Sequence, residues 1–156
     1  MDSPRDLQLR QIYADHLLDL GDPRGELISL QLANRDPDRV AHLIATHGRA
    51  WIGPLAPWVE FAACKFENGF LAEATFADPS RELTPLVGDP IWATVRALHL
   101  GKVSHLRAGL REFLHSVSEL IAQPVMRSLT TVTVDGDGLM LDRDPDGARA
   151  FVPRFR

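Results

Sequence analysis

Apolar residues in the first third of the chain recur mostly three and four positions apart, which is the spacing of an amphipathic helix. The first stripe consists of Leu7, Leu9, Ile12, Tyr13, Leu17, Leu18 and Leu20. Pro4 suits the first turn of this helix, with Asp2 or Ser3 before it as the cap. Gly21 suits its end, because glycine tolerates the left-handed backbone that closes many helices.

Two aspartate–proline pairs, Asp22-Pro23 and Asp36-Pro37, are predicted to begin the next two helices. Aspartate is a good N-cap, and proline fits the first helical position because an N–H there would have no intrahelical partner. The third apolar stripe stops at Gly48, where we expect the third helix to end. Residues 1–58 are therefore predicted to form a unit of short helices.

The pattern beyond Trp51 favours strands. Pro54 and Pro57 exclude a long helix there. Residues 59–66 and 71–76 are predicted to be two strands around Asn68-Gly69, a dipeptide typical of tight hairpins.

The later part of the chain alternates predicted helices and strands. A short helix is predicted around residues 81–87, and strands are predicted over 95–100 and 129–134. Between those strands an apolar stripe from Leu106 to Ile121 predicts the best helix of the chain, which Pro124 ends.

The two later strands share one pattern. Residues 95–100 and 129–134 superpose as apolar-x-x-apolar-x-apolar, which is typical of a leucine-rich-repeat strand. A strand–helix–strand unit of this length is expected to be parallel and right-handed. We therefore predict an α+β fold in which the N-terminal short-helix unit caps a degenerate leucine-rich-repeat-like strand–helix array. Residues 59–156 form this array and are expected to pack with residues 1–58 as one globular domain.

The tail contains two turn sequences rich in aspartate and glycine, at residues 135–138 and 144–147. The second predicts a hairpin between residues 139–141 and 150–152. An alternative is a calcium loop, since Asp142, Asp144 and Asp146 match its first three ligand positions. Its twelfth position is Pro153, which has no carboxylate, so we favour the plain turn and predict no metal or other cofactor.

Three segments of the first 76 residues carry a family resemblance. They are the long run Tyr13–Gln31 with Gly-Asp-Pro-Arg-Gly-Glu at its centre, the run Gly48–Leu55, and Glu67-Asn68-Gly69-Phe70. Together they resemble a bacterial repeat-companion domain, in which such a segment precedes leucine-rich-repeat-like segments. This chain has His16 where the family usually has tryptophan. The resemblance implies a helical unit beside repeat-like strands and does not imply an activity.

The central motif allows three interpretations. In the first it is one helix end followed by one helix start, with Asp15 and Arg24 as an ion pair and Gly25 permitting close helix packing. In the second it is a partner surface with Arg24 and Glu26 as polar contacts. A third, catalytic interpretation of Asp15, His16, Asp19 and Glu26 lacks a nucleophile or an oxyanion site in the sequence.

Composition indicates which partners and which cellular compartment to expect. Lys and Arg total 17 against 21 Asp and Glu, a net charge of −4, which disfavours direct contact with nucleic acid. The single cysteine, Cys64, excludes an internal disulfide and fits a reducing compartment. No stretch predicts a signal peptide or a membrane span, so we expect a cytoplasmic protein without membrane contact.

The sequence contains no recognisable catalytic constellation and no nucleotide-binding loop. None of its six histidines has a second ligand at a spacing that zinc sites use. We therefore predict a non-enzymatic protein–protein interaction or adaptor module of a bacterial assembly, with another protein of unknown identity as its partner. The alternative is a regulatory subunit of an enzyme or of a nucleic-acid-associated complex. The predicted partner-binding residues are Arg24, Glu26, Arg96, His99, Thr131 and Thr133.

Overall fold

The fold, taken from a computed structural model, is α+β as predicted. The structure describes residues 4–78, 82–102, 110–135, 139–142 and 152–154. The helices are α1 (Pro4–Asp19), α2 (Pro23–Leu32), α3 (Pro37–Trp51) and α4 (Leu110–Ala122). The strands are β1 (Lys65–Glu67), β2 (Phe70–Thr75), β3 (Ala97–Lys102), β4 (Thr131–Asp135), β5 (Leu139–Asp142) and β6 (Val152–Arg154).

The chain divides into two compact units. One consists of Met1–Gly53 with Phe66–Phe70, and the other of Pro54–Lys65 with Leu71–Arg156. The predicted boundary between residues 58 and 59 lies close to the end of the first segment. The prediction placed Phe66–Phe70 in the second region, whereas the structure places this segment in the first unit.

The helix starts of the first unit follow the predicted capping chemistry. The Asp22 side chain accepts a 2.8 Å hydrogen bond from the Arg24 N–H, and the Asp36 side chain accepts one of 3.0 Å from the Arg39 N–H. Gly21 follows α1 with φ +71°, the left-handed conformation expected at a helix end. These bonds satisfy N–H groups that the first helical turn leaves free.

The predicted end of α3 at Gly48 is wrong. Gly48 is buried inside the helix, which continues to Trp51. The glycine in left-handed backbone is instead Gly53, with φ +45°. Glycine inside a helix is tolerated at a modest cost, so a glycine alone does not fix the helix end.

The apolar stripe of α1 is only partly buried. Ala14 and Leu17 are buried against Ile28 of α2, with Leu32 and Phe70 packed beside them. Other apolar side chains of the stripe remain between 41 % and 68 % exposed; they are Leu7, Leu9, Ile12, Tyr13, Leu18 and Leu20. The close approach of the two helices depends on Gly25, as predicted. A Cβ there would lie 2.7 Å from the Ala14 carbonyl oxygen.

The hairpin at Asn68-Gly69 is present, but the strand predicted over residues 59–66 is interrupted. Val59 makes an isolated antiparallel bridge to Phe76, and Phe61–Ala63 forms a short 3-10 turn before β1 begins at Lys65. Alanine is a weak strand former, and Ala62-Ala63 occupies this break. The short helix expected over residues 81–87 is a 3-10 turn at Thr84–Leu86.

Six strands form one mixed sheet whose spatial order follows the chain. The β3–β4 pair is parallel, as predicted, with Ala97 beside Thr131 and His99 beside Thr133. The β2–β3 pair is also parallel, with Glu73 beside Ala97. β5 pairs antiparallel with β4 and with β6, so residues 139–141 are paired in the tail as predicted, but their partner strand is Val152–Arg154 rather than residues 150–152. The turn itself, and with it the calcium alternative at Asp144 and Asp146, lies outside the described residues.

The three parallel strands separate a buried face from a half-exposed face. The residues aimed at the core are Ala74, Phe76, Leu98, Leu100 and Val132, and each is at most 2 % exposed. Trp92 is fully buried, donates a 2.7 Å hydrogen bond from its indole to the Leu86 carbonyl, and contacts the Phe76 ring. The alternate positions along the same strands therefore project from the opposite side of the sheet.

Candidate functional site

Arg24, in the first turn of α2, is engaged inside its own unit. Its Nε donates a 2.9 Å hydrogen bond to the Gly69 carbonyl. Its guanidinium lies 4.9 Å from the centre of the Phe70 ring and 5.9 Å from that of Trp51. Burial lowers the pKa of this guanidinium, which nevertheless stays charged at any physiological pH. Arg24 therefore attaches the hairpin turn to α2.

The predicted ion pair between Asp15 and Arg24 does not form. Asp15 accepts a 2.9 Å hydrogen bond from Gln11, one turn earlier on α1. Asp15, His16 and Asp19 are all exposed on α1. The interactions of Arg24 are instead with the turn, which lies 45 residues away in sequence.

Gln31, two turns further along α2, binds the same hairpin turn through both ends of its amide. Its Nε2 donates to the Phe66 carbonyl at 2.8 Å, and its Oε1 accepts from the Gly69 N–H at 2.7 Å. Gly69 has φ +80°, and a Cβ on it would overlap the Cγ1 atom of Ile28. A side chain at position 69 would require Ile28, α2 or the turn to shift, and it would also strain the left-handed backbone.

The three segments that carry the family resemblance meet at this turn. Tyr13 stacks on Phe70 at 6.0 Å, and Trp51 contacts Phe66 at 6.4 Å and His47 at 5.6 Å. The long motif, the Gly48–Leu55 run and the hairpin thus share one cluster of aromatic rings. Arg24 adds the cation that binds two of those rings.

Glu26 is used within the first unit. Its two carboxylate oxygens each accept a 2.7 Å hydrogen bond from the Arg39 guanidinium, which links α2 to α3. The hydrogen bond from Arg39 lowers the pKa of Glu26. Both side chains remain substantially exposed, so this pair is open to solvent and to screening by salt.

The first unit also contains an open groove of about 560 Å³. Its walls are mostly apolar and come from α2, α3 and the hairpin turn, with Arg35 and Glu67 among the lining residues. None of the six predicted partner-binding residues lines it.

A row of polar side chains crosses the half-exposed face of the sheet in the second unit. Lys65 Nζ lies 2.9 Å from Glu73 Oε2, which is 3.5 Å from His99 Nε2. On the other side of the ring, His99 Nδ1 lies 2.6 Å from Thr133 Oγ1. With neighbouring strands about 4.8 Å apart, this row spans roughly 14 Å across β1 to β4.

The electrostatics of the row centre on Glu73, which lies between Lys65 and His99. Hydrogen bonding from the Lys65 ammonium holds the pKa of the Glu73 carboxyl below its ordinary value, and His99 adds to this effect. Glu73 is 24 % exposed and His99 33 %, so both can be reached from solvent.

Thr131 lies on the same face as the row, whereas Arg96 precedes β3 at a position that alternates with Ala97 and His99. Arg96 is exposed just before β3, where its N–H donates to the Ala72 carbonyl and its carbonyl accepts from Thr130 and Thr131. Thr131 is half-buried and lies beside Ala97 in the sheet. The structure thus brings Arg96, His99, Thr131 and Thr133 to one region of the second unit, whereas Arg24 and Glu26 belong to the first.

Sequence reasoning missed Lys65 and Glu73 in the row, and it missed that Gln31 binds Gly69 of the hairpin turn. A signal for Glu73 exists. Residues 71–76 follow the same apolar-x-x-apolar-x-apolar pattern as the two later strands, with Leu71, Ala74 and Phe76 at the apolar positions. That alignment places Glu73 beside Ala97, as observed. For Gln31 no local signal exists, because its partners lie on a turn 35 to 38 residues away.

Within the part of the chain that the structure describes, no group of three histidine, cysteine or carboxylate side chains is placed to hold a metal. No helix among those residues is long and apolar enough to cross a membrane. Comparison of the chain with protein-family models, curated proteins and solved structures finds no match.

Proposed function

We propose that this chain is a non-enzymatic interaction module of the bacterial cytoplasm that docks another protein on the polar face of β2, β3 and β4. The observation that carries this proposal is the row from Lys65 to Thr133. Its side chains are held in fixed positions by one another while they remain accessible. A preorganised polar surface costs little ordering when a partner binds.

Repetition along the sheet supports an array that resembles leucine-rich repeats. The same main-chain bond occurs twice, from Arg96 N–H to the Ala72 carbonyl at 2.8 Å and from Thr130 N–H to the Arg96 carbonyl at 2.9 Å. Hydroxyl groups before the strands also reach the preceding segment, as Thr94 does to Leu71 and Ser128 to Ala93. A stacked array of this kind offers a broad surface and needs no deep pocket.

The cluster around the hairpin turn supports membership of the repeat-companion family. Its three motif segments are explained together by one structural role, which is to hold residues 66–70 on α2. Arg96, His99, Thr131 and Thr133 lie in one region of the second unit, whereas Arg24 and Glu26 belong to the first, so we assign docking to the four residues of the second unit.

Site-specific photo-crosslinking in the native host tests the docking face. A photoreactive residue at position 131 is expected to trap one defined partner protein. The same residue in place of Glu112, which is exposed on α4, should not trap it. Cross-linking that is equal from both positions, or absent from position 131, would contradict the proposal.

A binding measurement with the trapped partner gives the second test. Arg96→Glu reverses an exposed charge immediately before β3 and should weaken binding about ten-fold or more, since charge reversal at an interface costs one to several kcal/mol. Arg127→Glu reverses an exposed charge on the 3-10 turn Pro124–Ser128 and serves as the matched control. Equal affinities for the two variants would place the interface elsewhere.

A further inference from the structure

The His99 ring is held on both of its nitrogens, and this geometry limits where its proton can lie. Nε2 faces Glu73 Oε2 at 3.5 Å, and Nδ1 faces Thr133 Oγ1 at 2.6 Å. A neutral imidazole has one N–H donor and one lone-pair acceptor. The Glu73 carboxylate therefore selects the tautomer, and the Thr133 hydroxyl, which can donate or accept, adapts to it.

Only one tautomer satisfies both contacts. With the proton on Nδ1, the lone pair of Nε2 would point at a carboxylate oxygen, which is repulsive. With the proton on Nε2, that N–H points at Glu73, and Nδ1 accepts the hydroxyl proton of Thr133. Thr133 Oγ1 then has its own proton in use and turns only lone pairs toward a partner.

Protonation of the ring reverses this arrangement. Both ring nitrogens then carry a proton, so Nδ1–H donates to Thr133 Oγ1. The hydroxyl proton of Thr133 must leave that bond and point elsewhere. The same oxygen changes from an acceptor on the docking face to a donor, without movement of any strand.

We propose that His99 sets the hydrogen-bonding polarity of the docking face. While the ring is neutral, Thr133 accepts from an N–H group of the partner protein. When the ring is protonated, Thr133 donates, and that partner is no longer matched. The statement about the partner rests on the proposed docking function, whereas the statement about the ring and the hydroxyl does not.

The groups that face the ring are few among the described residues. From β2 it meets Glu73, whose carboxylate is paired with Lys65 of β1, and Thr75, which is neutral. From β4 it meets Thr133, also neutral. On β3 itself the residue two positions before it on the same face is Ala97.

Nuclear magnetic resonance of the full chain tests the ring directly. With ¹⁵N-labelled histidine, the signal lost in His99→Asn identifies the ring of His99 among the six histidines. At pH values where the ring is neutral, we expect the proton on Nε2 and a pyridine-type Nδ1. A proton on Nδ1, or an equal mixture of tautomers, would overturn the proposal.

The hydroxyl gives an independent readout. The Cβ resonance of Thr133 should shift with the same midpoint as the His99 ring. Thr131, on the same face beside Ala97, should not follow it. A Thr133 resonance that stays constant through the ring titration would overturn the switch. In Glu73→Gln the amide can turn either atom to the ring, so both tautomers should appear, and persistence of one tautomer would show that Glu73 does not select it.

Binding measurements with the partner protein distinguish failure of the switch from failure of the docking function. With the partner trapped from position 131, Thr133→Val should weaken binding about five-fold at neutral ring, as expected for one lost hydrogen bond. Thr133→Val should not weaken binding once the His99 ring is protonated. An equal effect at both pH values overturns the switch and leaves docking intact. The expected ring and hydroxyl titrations without any trapped partner would support the switch and contradict docking.

Discussion

Single residues of the first unit have roles that their chemical type alone does not show. Arg24 is a charged residue in an apparently polar motif, yet its guanidinium is partly buried between a backbone carbonyl and two aromatic rings. The planar guanidinium can donate and stack at once, which an ammonium cannot do. This explains why a motif that reads as a surface patch acts as an internal attachment.

Arg24→Lys should therefore lower the free energy of unfolding by about 1–2 kcal/mol, because it keeps the charge but loses the Nε bond and the stacking. Arg35→Lys, at an exposed position after α2, is the matched control and should change it by less than about 0.5 kcal/mol. Urea unfolding measures both. Equal effects of the two changes would show that the fork geometry of Arg24 is unimportant.

Glu73 predicts a pH dependence at the residue scale. Its folded-state pKa lies below the ordinary value because Lys65 donates to it. The stability that it contributes is therefore present above the ordinary glutamate pKa of about 4.3 and is lost as the pH falls through the lower, folded value. At pH 7, Glu73→Gln should cost about 0.3–1 kcal/mol, as for a partly exposed ion pair.

This cost should shrink toward zero as the solution is acidified. Urea unfolding at a series of pH values below 5 follows the difference between Glu73→Gln and the parent chain. Glu82→Gln, at an exposed position, is the control and should show little cost at any pH. A Glu73→Gln difference that grows on acidification would contradict the assignment of the pair.

At the scale of elements, local chemistry determined the starts of α2 and α3 and one strand pair. Asp22 and Asp36 cap α2 and α3 because capping needs only neighbouring atoms. The β3–β4 register was accessible because the two apolar patterns superpose. The end of α3 and the break before β1 could not be predicted locally. Gly48 and the pair Ala62-Ala63 are each compatible with more than one local structure.

The hairpin turn of residues 66–70 is the element on which the first unit depends, and Gly69 tests it. Gly21→Ala and Gly69→Ala both place a Cβ in left-handed backbone, which costs about 1–2 kcal/mol. No atom lies within 4 Å of a Cβ at Gly21, whereas at Gly69 it would overlap Ile28. Gly69→Ala should cost at least about 1 kcal/mol more. Thermal and urea unfolding of the two variants compare them, and equal losses would mean that Ile28 or the turn shifts at no cost to accommodate the Cβ.

At the scale of the whole molecule, the first unit is discontinuous in sequence. Its helices come from Met1–Gly53, but the residues that Arg24 and Gln31 bind lie in Phe66–Phe70. Short helices are marginal in isolation and gain most of their stability from packing. A unit built this way should fold only when both segments are present.

Two fragments test that expectation. Residues 1–72 should retain most of the helical circular dichroism of α1 to α3, whereas residues 1–55 should lose more than about half of it, since isolated helices of this length are marginal. The control is the 1–72 fragment with Phe66 and Phe70 replaced by serine, which should resemble residues 1–55. Equal helicity in all three fragments would show that the turn is dispensable.

The amino-acid pattern by itself determined that this chain is α+β, where α2 and α3 begin, and that β3 and β4 run parallel. Capping, helical spacing and strand alternation involve residues close in sequence, so they can be recognised locally. Only the tertiary structure decided that Arg24 and Gln31 hold Gly69, and that Lys65, Glu73, His99 and Thr133 form one row. Those contacts join residues on separate strands and turns. Their geometry depends on packing and strand register, which the number of residues between the partners does not specify.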